Sequence, residues 1–355
     1  MPDSAIPATV ERGDRVASLL AARYGLTVRT ITQLPIGQGT VNYHAVCDDG
    51  LGVFVKSYPA GTDLQSEEAA IALSVRAVEA GIPGPRVLPN QEGQHLDAST
   101  SLPVSVWEWM PGGVSPLLSP SQLAEAGTAL GRIHALFAAL PGNPPEQGSA
   151  GQRWRDIDVD AITTTIDELL EIIADRISAG AGDAFDTMAQ RTLLERRDQL
   201  THVPGLLAGL PADLTVQVVH GDYSPVNLLF TEETLSAVLD FRPPDPFLVA
   251  YDLGRMAFYP NTVVGDANWL DAAATLIGAY RQAHPAVAAV DVRACGRVAL
   301  LQLLKSLYGV RQHYLKPGLF QADLDEFWLV RHRAVGVLLG DLAASDTLLT
   351  ELADG

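Results

Sequence analysis

Val218-Val219-His220-Gly221-Asp222-Tyr223-Ser224-Pro225-Val226-Asn227-Leu228-Leu229-Phe230 decides the reading of this 355-residue chain. An apolar strand signal leads into it and another leads out, and between them stands His-x-Asp-x-x-x-x-Asn. Eighteen residues past Asp222, the strand-like run Leu235 to Leu239 ends in Asp240-Phe241. Asn227 and Asp240 are therefore expected at the ends of adjacent strands. They offer the hard oxygen donors that Mg²⁺ takes and usually shares with nucleotide phosphates. Asp222, on the intervening loop, is placed to receive a proton from an incoming hydroxyl. A packed core His220 with loop-capping carboxylates is the bland alternative, and the joint spacing of Asn227 and Asp240 speaks against it.

Phosphoryl transfer also needs a grip on the triphosphate, and the first 110 residues carry one. Strand signals at Thr30–Leu34, Tyr43–Cys47 and Gly52–Lys56 surround a Gly-containing segment, Leu34-Pro35-Ile36-Gly37-Gln38-Gly39-Thr40-Val41-Asn42-Tyr43. Gly37 and Gly39 would let backbone N–H groups approach phosphates, although Gly-x-Gly between strands also reads as a plain hairpin. Lys56 ends the last of these strands and is one of only three lysines, the others being Lys305 and Lys316. A helix from about Leu64 to Ala80 supplies its carboxylate partner. The stripe Leu64-Glu68-Ile71-Val75-Val78 favours Glu68 over Glu67, both of which also suit a helix N-terminus.

Composition narrows the partners. The formal charge is −18, from 42 acidic and 24 basic side chains, which argues against a nucleic-acid binder. Cys47 and Cys295 form no disulfide or CxxC framework, so a reducing interior is the default. No secretory leader and no long uninterrupted apolar run is visible, and the expected location is cytoplasmic, without a membrane span. After Pro111-Gly112-Gly113 the texture turns helical, with Ser121–Leu140, Ile162–Ile177 and Met188–Leu200 as amphipathic candidates and a Pro/Gly-rich loop at Pro141–Gly151. We expect an α+β chain of two lobes. Residues 1–110 form a small antiparallel sheet plus one helix, and 113–355 form a larger, mainly helical lobe, with a hinge at about 106–112.

Taken together, these motifs resemble the aminoglycoside phosphotransferase and choline kinase family, the small-molecule branch of the protein-kinase-like fold. The resemblance runs from about Leu34 to Asp252 and is strongest at His220-Gly221-Asp222…Asn227 and Asp240-Phe241…Tyr251-Asp252-Leu253. It implies ATP or GTP between the lobes, Asp222 as catalytic base, and Asn227 and Asp240 as magnesium ligands. It also implies a hinge in Val104–Gly112, where Trp107 and Trp109 offer main-chain groups to the purine. Asp252 and His134 are expected to be structural. Two departures stand out: Arg242-Pro243-Pro244 follows Asp-Phe, and Asn42 stands where a third glycine is common.

The acceptor is less legible. Asp156, Asp158, Asp160, Asp167, Glu168 and Glu171 would suit a polyamine antibiotic if they lined its site, or be a solvated helix face. Arg153 and Arg155 beside Trp154 favour a neutral or anionic acceptor instead. The expectation is an O-phosphotransferase acting on an antibiotic of aminoglycoside or nucleoside type. The alternatives are a metabolic kinase for homoserine, choline or a sugar, and an inactive nucleotide-binding scaffold. Oligomeric state is not legible.

Overall fold

The computed structural model describes residues 8–35, 39–140, 154–316 and 321–355. The chain divides into two compact units: Met1–Val114 with Asn227–Pro244, and Ser115–Val226 with Asp245–Gly355.

The first unit opens with α1 (Ala8–Leu19), which runs into a π turn at Leu20–Tyr24 and stops at Gly25 in the left-handed region, φ 70°. Its sheet consists of β1 (Val28–Leu34), β2 (Val41–Cys47), β3 (Gly52–Ser57), β4 (Val87–Leu88), β5 (Leu96–Asp97) and β6 (Val104–Glu108). The order is β1-β2-β3-β6-β4, with β5 on β6 and every pairing antiparallel. Alternation sets the faces. Tyr43, Ala45, Val53, Val55, Val104 and Val106 form one core with Val16 and Leu20. A second cluster joins Tyr58, Val87 and Leu96 to Ile71 of α2 (Leu64–Glu79). Asp63 caps α2, its carboxylate accepting the Ser66 N–H.

The hairpin of β8 (Leu228–Thr231) and β9 (Thr234–Val238), within Asn227–Pro244, groups with the first unit. Backbone hydrogen bonds make the attachment. Gly113 and Phe230 exchange N–H···O bonds of 3.0 and 2.9 Å, and the Val238 N–H donates to the Pro83 carbonyl at 2.8 Å.

The second unit is helical. The α3 helix (Pro120–Ala138) starts in a capping box made by Ser119 and Gln122 and lies against the Trp269–Ala283 helix. The contact is backbone-close, because a Cβ at Gly127 would stand 2.2 Å from the Leu276 carbonyl oxygen. β7 (Val216–Gln217) pairs with β10 (Phe247–Leu248), and this two-stranded ladder sets the site. Three residues after β7 comes His220, and directly after β10 begins the helix Val249–Ala257. That helix is pressed onto the Ala289–Lys305 helix at Gly254, where a Cβ would fall 2.1 Å from the Cys295 carbonyl oxygen. Gly254→Ala is therefore expected to push the two helices apart at a cost of about 1–3 kcal/mol. Denaturant midpoints measure this, and an unchanged midpoint would mean that the helices slide freely. Among the described residues, no helix is long and apolar enough to cross a membrane.

Candidate active site

In the first unit, Lys56, Asn42, Asn227 and Asp240 are assembled by strand register. Asn42 on β2 stands directly across from Lys56 on β3. Gly39 has φ +83° with open space around it, and the Thr40 hydroxyl donates to Asn42 Oδ1 at 3.1 Å. Gly37 lies outside the described residues. Lys56 Nζ donates to Asp240 Oδ1 in an ion pair linking residues 184 positions apart. Burial opposes the ammonium charge, but the Asp240 carboxylate outweighs it and holds the Lys56 pKa above its ordinary value, with Tyr58 and Glu67 adding to the effect. The Leu239 N–H donates to the Asn227 carbonyl at 2.9 Å, so Asp240 leaves β9 beside the start of β8. Asp240 holds φ 58°, an uncommon conformation for a residue with a side chain. Asn227 is nearly buried, and its amide oxygen with the Asp240 carboxylate makes a donor set suited to a hard divalent cation.

Glu67, half-buried, adds to the field at Lys56, and Glu68 is exposed. The buried face of α2 runs through Ala70, Ile71, Ser74 and Ala77, which brings Glu67 rather than Glu68 toward the sheet. The stripe through Leu64, Val75 and Val78 follows the half-buried edge of that face. The main chain of the two tryptophans is likewise engaged. Trp107 sits in the ladder between Phe54 and Val87, and the Trp109 N–H donates to the Gly52 carbonyl at 3.2 Å. The Trp109 ring stacks on His44, centroids 3.8 Å apart.

In the second unit the loop after β7 is held by buried groups. Both oxygens of Asp252 accept the Gly221 N–H at 3.1 Å, with Gly221 at φ +83°. His134 reaches Asp252 Oδ2 through Nε2 at 3.3 Å and the Tyr280 hydroxyl through Nδ1 at 2.9 Å. A carboxylate only accepts, so Nε2 carries a proton and donates to Asp252. Burial pushes the Asp252 pKa up, yet His134, His220 and the Gly221 N–H together hold it below the ordinary range. Asp252 and His134 thus tie the loop down, and the Asp222 N–H donates to His220 Nδ1 at 3.2 Å. Asp222 itself accepts from Arg255 Nη2, one helical turn after Asp252.

The sequence profile of the phosphotransferase enzyme family matches residues 30–290. The chain belongs to that family. Its fold is protein-kinase-like. A spectinomycin phosphotransferase solved with ADP and spectinomycin superposes with a TM-score of 0.59 at 16% identity, covering 96% of this chain and 97% of that one. An aminoglycoside phosphotransferase from Alicyclobacillus acidocaldarius gives 0.60 at 17% identity, covering 98% of each chain. A homoserine kinase of Afipia carboxidovorans is 27% identical over 208 residues, 58% of this chain and 56% of that protein, so the match spans about half of that relative's length.

In this family member the acidic run does not form an enclosed wall. Asp156, Asp158, Asp160, Asp167, Glu168 and Glu171 are all exposed. Asp158 caps the Val159–Ser178 helix, and Asp167 pairs with Arg197 at 2.8 Å. Arg153 lies outside the described residues. Arg155 donates to the carbonyls of Leu210 and Pro211, and Trp154 is buried against Phe247 and Tyr251. Sequence reasoning missed Arg255, although a guanidinium inside Leu253-Gly254-Arg255-Met256-Ala257 was a signal, since an apolar run admits a charge only where it has work to do.

Proposed function

We propose that the protein transfers the γ-phosphoryl group of ATP or GTP to a hydroxyl of a small molecule. The observation that carries this reading is the Lys56–Asp240 ion pair, with Asn227 beside it: a cation for phosphates next to two oxygen donors for Mg²⁺. Asn227 and Asp240 would hold the cation, which supplies charge neutralisation at the phosphates when bound. Lys56 would anchor the α- and β-phosphates, with Glu67 keeping a negative charge nearby. For the purine, main-chain groups of the Val104–Gly112 stretch would be used; the Glu108 N–H already donates to the Arg86 carbonyl and the Trp109 N–H to the Gly52 carbonyl.

Asp222 is the proposed base. The acceptor hydroxyl oxygen forms a bond to the γ-phosphorus as the bond from phosphorus to the β–γ bridging oxygen breaks, the leaving nucleotide diphosphate keeps that electron pair, and the hydroxyl proton passes to Asp222. Arg255 fixes one Asp222 oxygen, and the Asp252–His134 support fixes the loop, so positioning is settled before substrate arrives. Use of a cellular nucleotide is consistent with a cytoplasmic location.

The test is a panel of aminoglycosides, nucleosides, amino alcohols, hydroxy acids and sugars, incubated with Mg²⁺ and ATP or GTP. Diphosphate release that depends on one acceptor class, with a product heavier by one phosphoryl group, is expected. Nucleotide binding with no acceptor-dependent turnover would replace this reading by that of an inactive scaffold.

A further inference from the structure

Arg331, on the Gln321–Gly340 helix, is 7% exposed, and among the described residues it has no carboxylate within ion-pair distance and donates no hydrogen bond. Its Nε is enclosed without a partner, and its guanidinium lies 4.9 Å from the Phe327 ring. Isolated buried charge is among the most costly features a fold can carry, so a guanidinium left this way needs a reason. The same unit shows how the chain treats a purely structural buried arginine. Arg196, fully buried, donates through Nη1 to the carbonyls of Leu303, Leu304 and Ser306, at the end of the Ala289–Lys305 helix, and leaves only Nη2 without a partner.

The surroundings of Arg331 say what the reason is. Burial, with the half-buried Arg255 guanidinium repelling it, lowers the Arg331 pKa to about 10, still cationic at neutral pH. Arg255 is the residue that holds Asp222, and its own Nε is also without a partner. Tyr251 and Tyr259 both lie in the joint field of Arg255, Arg331 and Asp222, and burial raises their pKa values, so both remain phenols able to donate. Tyr251 packs edge-on against Trp154, and the Lys305 ammonium lies 3.7 Å from the centre of the Trp154 ring. Among the described residues Lys305 likewise has no carboxylate partner, and burial lowers its pKa to about 8. Among the described residues, Arg331 and Lys305 thus stand without a carboxylate partner, inside a molecule whose overall charge is −18.

We propose that Arg331, with Arg255 and the hydroxyls of Tyr251 and Tyr259, forms an anion subsite for the acceptor, and that the acceptor is a small hydroxylated carboxylic acid. The assignment rests on the reading of Asp222 as the base that receives the acceptor hydroxyl. A planar guanidinium fork matches a carboxylate in two parallel hydrogen bonds. With Arg255 already neutralised by Asp222, one guanidinium remains, matched to a monoanion rather than a phosphate dianion. A polycationic antibiotic would meet repulsion at the same place, which departs from the antibiotic expectation.

The experiment is a calorimetric titration of matched probes into the full chain with a non-hydrolysable ATP analogue and Mg²⁺. The probes are homoserine against 3-amino-1-propanol, glycerate against glycerol, and glycerol 3-phosphate. In the wild type at least one carboxylate member is expected to bind about 10- to 100-fold more tightly than its uncharged-end partner, the span of a charge-assisted hydrogen-bond pair. Arg331→Met collapses that gap, and Arg331→Lys keeps part of it. Arg331→Met should also melt no lower than the wild type, because it removes an uncompensated buried charge, whereas a merely structural arginine would lower the melting temperature. Equal binding within both pairs, tighter binding of glycerol 3-phosphate, or a gap that survives Arg331→Met overturns the subsite. Turnover separates the two readings: a carboxylate probe that binds through Arg331 but is never phosphorylated leaves the subsite standing and removes the proposed reaction.

Discussion

Asp222→Ala is expected to lower kcat by about 10²- to 10⁴-fold, the usual span for a positioned base, while nucleotide affinity stays within a few-fold of wild type. The split follows from where the residue sits. Asp222 belongs to the loop after β7, tied through Gly221 to Asp252, and it bonds to His220, Ser224 and Arg255. None of these is on β3 or β9, where the nucleotide groups are assigned. The alanine variant also leaves Arg255 without its carboxylate next to Arg331, so some loss of stability accompanies it. Asp222→Asn controls for that. The amide oxygen still accepts from Arg255 and leaves one guanidinium bonded, but it cannot take a proton. An equal loss of kcat in the asparagine variant with a near-native melting temperature assigns the effect to proton acceptance. A loss of nucleotide affinity as large as the loss of kcat would remove Asp222 from that role.

The second large effect is expected at the ion pair. Lys56→Met and Asp240→Asn should each lower kcat/KM for the nucleotide about 10²- to 10³-fold, the scale for removing one preorganised charged contact at a phosphoryl centre. The two should differ in their metal response. Raising Mg²⁺ is expected to restore part of the Asp240→Asn loss, since a weakened ligand shifts the binding curve, and to restore nothing in Lys56→Met. The pair is also a strain point. Asp240 is held at φ 58°, and Lys56, on β3 of the other sheet, is its anchor. Breaking the pair in the absence of nucleotide should therefore loosen the β8–β9 hairpin, read as faster amide exchange at Leu239. Full activity in Lys56→Met, titrated against nucleotide, would sink the proposed phosphate grip.

Much of this was legible without coordinates. The run from His220 to Asn227 and the Asp after Leu239 declare themselves because a strand, a loop of fixed length and a returning strand leave few places for those side chains to go. Lys56 was legible for the same reason: it closes an alternating strand, and alternation fixes its face. Glu67 was harder. A helix carries several half-apolar stripes, and only the sheet packed against α2 selects the face through Ala70, Ile71 and Ser74. Main-chain contacts at Trp107 and Trp109 leave no side-chain signature in a sequence, because they depend on which N–H groups the neighbouring strands have already taken.

The chain's local order alone, then, determined the chemistry-bearing residues at short spacing, the strand that presents Lys56, and the family. These depend on covalent distance and side-chain alternation, which a linear string records. Only the tertiary structure decided that the β8–β9 hairpin joins the first unit, that Arg255 holds Asp222, and that Arg331 lies buried with no carboxylate partner among the described residues. Whether a guanidinium is paired depends on what packs around it from the helices Val249–Ala257 and Gln321–Gly340, more than 60 residues apart along the chain. Charge is written in the sequence; its desolvation is not.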